Sequence, residues 1–98
     1  MIKENALPML PPADADGNRP AVEYLRVSMA RDVIRSRRAL GWTQQDLAKR
    51  IGVAQESISR IESGKHTPTV RTMTKIDKAI NVEESRRRAA KRGSFRRN

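Results

Sequence analysis

Thr43-Gln44-Gln45-Asp46-Leu47-Ala48-Lys49-Arg50-Ile51-Gly52-Val53-Ala54-Gln55-Glu56-Ser57-Ile58-Ser59-Arg60-Ile61-Glu62-Ser63-Gly64 is the stretch that decides the fold. The Thr43 hydroxyl suits a helix N-cap, and Asp46 stands three residues on, as a capping box requires. Leu47, Ala48 and Ile51 then form a short apolar stripe, and Gly52 supplies a left-handed stop. A second helix is expected from Gln55 to Ser63, with Ile58 and Ile61 turned inward and Gly64 at its end. The spacing thus predicts two short helices joined by a tight turn, with Val53 plugging the turn and the small Ala48 at a close helix contact. Gln55, Glu56, Ser59 and Arg60 remain on the outer face of the second helix. Position 54 is Ala, where a Ser or Thr cap is preferred, which weakens that helix start by about 1 kcal/mol.

Outward from this stretch the periodicity stays helical. Ala30, Val33, Ile34 and Leu40 fall at helical spacing between about Val27 and Leu40, with Arg31, Asp32, Arg35 and Arg38 opposite and Gly41 as a stop. Trp42 is expected as a lid over this first helix. Thr67-Pro68-Thr69 marks a loop and a new helix start, after which Val70, Met73, Ile76, Ile80 and Val82 repeat at helical spacing. No segment of the middle zone alternates with period two over strand length.

Charge divides the chain into three zones: a 1–24 arm, a 25–82 domain and an 83–98 basic tail. The arm has two basic and four acidic residues, net −2; the domain twelve and five, net +7; the tail seven and two, net +5. Four of the five prolines lie in the arm, beside Asp14-Ala15-Asp16-Gly17-Asn18, so an extended or disordered segment is expected there. Its apolar residues include Ile2, Leu7, Met9 and Leu10, with Val22, Tyr24 and Leu25 at its end. The arm is either a bare terminus or a segment that orders on a protein partner. In the tail, Arg86-Arg87-Arg88 and Lys91-Arg92 repel one another, so a stable free helix is not expected; the tail either contacts phosphates or stays solvated.

With 98 residues, 37% hydrophobic and 3% aromatic, the chain fits one small domain with a thin core and little material for a substrate pocket. An enzyme is not expected: no nucleophile–base pair or phosphate loop is visible. The absence of cysteine excludes disulfides and thiolate metal sites, and His66, the sole histidine, reads as a polar loop residue. No cofactor or metal is expected. The net charge of +10 points to a polyanionic partner, nucleic acid before an anionic membrane. No apolar run reaches the length of a membrane span, and Pro8, Pro11 and Pro12 interrupt the region where a signal peptide would need continuous apolar residues. A cytoplasmic location is therefore expected.

Trp42-Thr43-Gln44-Gln45-Asp46-Leu47-Ala48 and Ile58-Ser59-Arg60-Ile61-Glu62-Ser63-Gly64-Lys65 resemble the Xre/Cro-type helix-turn-helix family, which includes the lambdoid phage repressors. The resemblance covers about Ala30 to Val82. It implies an all-α, lambda-repressor-like bundle of four to five helices, flanked by a flexible arm and a basic tail, with the helix from Gln55 as the recognition helix. By position it assigns base reading to Gln55, Glu56, Ser59 and Arg60: Gln55 suits adenine, Arg60 guanine, and Glu56 cytosine N4. It assigns phosphate contacts to Thr43, Gln44, Ser57, Ser63 and Lys65, and a structural ion pair to Arg37 and Glu62.

The function this implies is a repressor that binds double-stranded DNA, as a homodimer on a palindromic operator. Leu25-Arg26-Val27-Ser28-Met29-Ala30-Arg31 and Gly64-Lys65-His66-Thr67-Pro68-Thr69-Val70 extend the resemblance to HigA-like antitoxins of toxin–antitoxin modules. In that reading the protein neutralises a RelE/HigB-like ribonuclease toxin and represses its own operon, with Leu7, Met9, Leu10, Val22, Tyr24 and Leu25 as toxin contacts. The alternatives are a stand-alone or phage-type regulator with no toxin partner, and a basic factor bridging DNA to the transcription machinery.

Overall fold

The computed structural model describes residues 7–96, with side chains described through Arg92; Ile2, Arg97 and Asn98 lie outside them. Four helices follow in order: α1 (Ala21–Ala39), α2 (Gln44–Ile51), α3 (Gln55–Glu62) and α4 (Val70–Arg96), with no strand among the described residues. The bundle is all-α and has the lambda-repressor-like layout.

Local chemistry sets the ends of α2. Thr43 Oγ1 accepts from the Asp46 N–H at 3.0 Å while Asp46 Oδ2 accepts from the Thr43 N–H at 2.9 Å, a complete capping box. The bond from the Thr43 N–H, with the Thr43 hydroxyl beside it, holds the Asp46 carboxyl below its ordinary range. At the other end Gly52 adopts φ 74°, and its N–H and that of Val53 both donate to the Ala48 carbonyl. The left-handed turn swings the chain directly into α3.

Each helix sends a stripe inward. Val33, Leu40, Trp42, Leu47, Ala48, Ile58, Ile61, Ile76 and Ile80 form one core, with Leu47, Ile58 and Ile76 fully enclosed. Burying each of these three contributes about 1.5–3 kcal/mol. Trp42 is the lid expected from its position, and its ring carries the Arg50 guanidinium 4.2 Å from the centroid. Gly64, also buried, has φ +74°, and a Cβ there would meet Val27 Cγ2 at 3.1 Å. Glycine therefore lets the chain leave α3 while pressed against α1.

Two boundaries differ from the sequence expectation. α1 begins six residues before Val27, at Ala21, because Pro20 presents its carbonyl to the Tyr24 N–H at 2.8 Å and opens the first turn. α4 runs on to Arg96, so the basic segment after residue 82 is helical rather than irregular. The physical reason is Glu83, which accepts from both Arg86 and Arg87 and offsets the repulsion of the cationic run. Arg87 also donates through Nη2 to the Leu40 carbonyl at 2.8 Å, tying α4 to the end of α1.

Residues 7–20 have neither helix nor strand and follow the surface. Asp14 Oδ1 accepts from the N–H groups of Asp16 and Asn18, forming a turn at the Asp-rich run. Pro11 is buried, and Arg31 Nη1 donates to the Pro8 carbonyl at 2.9 Å, so the arm is seated on α1.

Candidate DNA interface

α3 is amphipathic in the simplest sense. Ile58, Ile61 and Glu62 are buried, while Gln55, Glu56, Ser59 and Arg60 are exposed and share the outward face. The side chains of these four have no hydrogen-bond or ion-pair partner among the described residues. Glu56 and Arg60 stand one helical turn apart without pairing. Their donors and acceptors are therefore available to an external partner: an amide, a carboxylate, a hydroxyl and a guanidinium fork, the set that reads base edges. Ala54 gives no side-chain cap, as its residue type requires, and of the first turn of α3 the Ser57 N–H donates to the Ala54 carbonyl while the N–H groups of Gln55 and Glu56 face outward without a cap.

A buried ion pair fixes this helix. Arg37 Nε and Nη2 donate to Glu62 Oε2 and Oε1 at 2.7 and 2.9 Å, and Arg37 Nη1 donates to the Trp42 carbonyl at 2.8 Å. Gln44 Nε2 adds a further bond to Glu62 Oε1 at 3.0 Å. α1, α3 and the start of α2 thus meet at one carboxylate. The pair is bidentate and fully hydrogen-bonded, the arrangement that makes a buried charge tolerable.

The residues assigned to phosphate contacts lie at the start of α2, within α3 at Ser57, and just past the end of α3. Thr43 is exposed; its hydroxyl oxygen caps α2, and its hydroxyl proton is available to donate. Gln44 is half-buried and spends its amide on Glu62, so its outward contribution is the backbone N–H at the first position of α2. Ser63 and Lys65 are exposed at the other end, where Ser63 Oγ donates to the Arg60 carbonyl and accepts from the Lys65 N–H. Ser57 is half-buried. Sequence reasoning missed the internal use of Gln44 and the tie of Arg87 to Leu40. The first joins residues far apart in sequence and leaves no local signal. The second is foreshadowed by Glu83 preceding Arg86 and Arg87 at helical spacing.

Of the arm residues assigned to a protein partner, Leu7, Leu10 and Tyr24 are half-buried against the molecule. Met9, Val22 and Leu25 are 87%, 63% and 56% exposed. No helix among the described residues is long and apolar enough to cross a membrane.

Known proteins match the same region. The helix-turn-helix family pattern fits residues 34–86. An uncharacterized HTH-type transcriptional regulator of Archaeoglobus fulgidus is 44% identical over 42 residues, 43% of this chain and 60% of that protein. Antitoxin HipB of Escherichia coli is 40% identical over 42 residues, 43% of this chain and 48% of HipB. Multiprotein-bridging factor 1 of Schizosaccharomyces pombe is 30% identical over 56 residues, 57% of this chain and 38% of that factor. The chain thus spans between 38% and 60% of the length of these relatives. No solved structure gives a significant match. The four-helix layout, the open face of α3 and the matched pattern together show that the chain belongs to the helix-turn-helix family of transcriptional regulators, of the Xre/Cro type.

Proposed function

We propose that the protein is a sequence-specific repressor that docks α3 in the major groove and binds a palindromic operator as a dimer. The observation that carries this is the outward quartet Gln55, Glu56, Ser59 and Arg60, unpaired on a helix whose other face is locked by Arg37 and Glu62. Arg60 reads guanine O6 and N7, Gln55 reads adenine N6 and N7, and Glu56 accepts from cytosine N4 or rejects wrong bases. Ser59 is a lesser base contact. Thr43, the start of α2, Ser57, Ser63 and Lys65 fix the register through phosphates. One helix reads too few base pairs for specificity, so two half-sites one helical turn apart are needed. Selection of bound duplexes from a random pool tests this. A palindromic consensus is expected with the wild-type chain, and a pool without any enriched sequence would count against it.

A narrower reading is that the repressor is an antitoxin, which captures a RelE/HigB-like ribonuclease and represses its own operon. Two observations favour it: the similarity to a protein named Antitoxin HipB, and the exposed apolar side chains Met9, Val22 and Leu25. The test is capture of a basic ribonuclease encoded beside this gene by the full chain and by a Met9→Asp/Val22→Asp/Leu25→Asp variant. Loss of capture by the variant, with folding retained, supports the antitoxin. Failure of the wild-type chain to capture it leaves a stand-alone regulator.

A further inference from the structure

The helix family pattern ends at residue 86, but α4 continues to Arg96. A cavity separates the stretch of α1 holding Met29, Val33 and Ser36 from the stretch of α4 holding Met73, Ile76 and Ile80. Further along both helices, Arg87 reaches the Leu40 carbonyl. The two helices therefore run in the same direction. α4 starts just past the Lys65 loop, and through Arg87 it reaches Leu40, three residues before Thr43. Lys65 and Thr43 are both assigned to phosphate contacts. Beyond Arg87, α4 leaves the body, and from Arg88 to Arg96 it spans about 13 Å at 1.5 Å per residue.

The chemistry of that projection is one-sided. Arg88, Lys91 and Arg92 are exposed and lie at i, i+3 and i+4, on one face. No acidic residue follows Glu84. Glu83 is already occupied by Arg86 and Arg87, and Arg88 donates to the neutral Ser85 hydroxyl at 3.2 Å and makes no close ion pair with Glu84, one turn before it. Like charges so placed cost helix stability, and Glu84 can offset only Arg88 among them. A polyanion lying along the face reverses that cost.

We propose that the end of α4 is a phosphate clamp: Arg88, Lys91 and Arg92 contact the backbone of duplex DNA flanking the half-site read by α3, without reading sequence. This rests on the docking of α3 proposed above. Glu83 and Arg87 act as positioning residues, holding the projecting helix against the Leu40 carbonyl at the end of α1. The clamp adds affinity and salt dependence while the quartet on α3 sets base preference, so the two can be separated experimentally.

The experiment compares the full-length wild-type chain with Arg88→Gln/Lys91→Gln/Arg92→Gln and with an equal-charge control, Arg35→Gln/Lys75→Gln/Lys78→Gln. The probe is a mixed-sequence DNA duplex, with affinity measured against salt and folding checked by circular dichroism. Three lost phosphate contacts lower the slope of log K against log salt by up to about 2.7. Between about 50 and about 200 mM salt, the wild-type chain then loses up to about 40-fold more affinity than the clamp variant. The control is expected to keep the wild-type slope. An unchanged slope in the clamp variant, or an equal fall in the control, overturns the clamp. A Gln55→Ala/Arg60→Ala variant separates this from the α3 reading. If it still prefers the selected duplex over the mixed one, base reading by α3 fails while the slope result stands or falls on its own.

Discussion

Arg37 and Glu62 take opposite charges out of water and hold them with four hydrogen bonds, two between themselves and one each from Gln44 and to the Trp42 carbonyl. Removing one partner strands the other. Glu62→Gln is expected to destabilise the fold by roughly 3–5 kcal/mol, measured by urea denaturation, while a paired Arg37→Met/Glu62→Leu change recovers most of the loss. Arg60 behaves oppositely, since it is exposed and supports nothing. Arg60→Ala should leave stability within about 0.5 kcal/mol of wild type. It should cost about 1–3 kcal/mol of preference for the selected sequence, read by competition binding. Helical spacing puts Arg60 on the outer face, whereas the pairing of Arg37 with Glu62 is legible only through the family resemblance. The sequence does not carry the bond from Gln44 to Glu62. That contact exists only after α2 and α3 pack, and it turns a side chain assigned to DNA inward onto the Glu62 carboxylate of α3.

α2 shows how much local chemistry can write in advance. Thr43, Asp46 and Gly52 define both ends of the helix within the stretch from Thr43 to Gly52, and the capping box and left-handed stop stand where those residue types require. Thr43→Ala should cost about 1 kcal/mol and Ala54→Ser should recover about as much at the open start of α3, both by thermal or urea unfolding. α4 was less legible. A run of cations argues against a helix by local repulsion, but Glu83 is within reach of two of them and its carboxyl is drawn down to about 2 by the Arg86 and Arg87 guanidinium groups. A carboxyl lowered from its ordinary 4.5 stabilises the fold fully above that pH, and the contribution disappears as pH falls toward 2. Helicity of the α4 extension should therefore fall between about pH 4.5 and 2, and Glu83→Gln should remove that step. The check is far-ultraviolet circular dichroism of both proteins across that range.

At the scale of the molecule, charge is sorted along the chain. The 1–24 segment is net acidic, and among its described residues Pro8 is held to α1 by the Arg31 bond. The domain and the end of α4 carry the excess that makes +10. An acidic segment and a basic remainder suit different partners, so the proposed DNA docking and the proposed capture of a basic protein would use different parts of the chain. The domain was legible because its periodicity and turn residues agree. The seating of the arm was not, because prolines and turn formers specify an extended chain without saying what it lies against. Docking of α3 is most directly tested by methylation interference on the selected duplex. Methyl groups at guanine N7 in the major groove should block binding of the wild-type chain, and Arg60→Ala should lose that block at one guanine of each half-site. Interference confined to adenine N3 in the minor groove, or an N7 pattern that Arg60→Ala leaves intact, would contradict it.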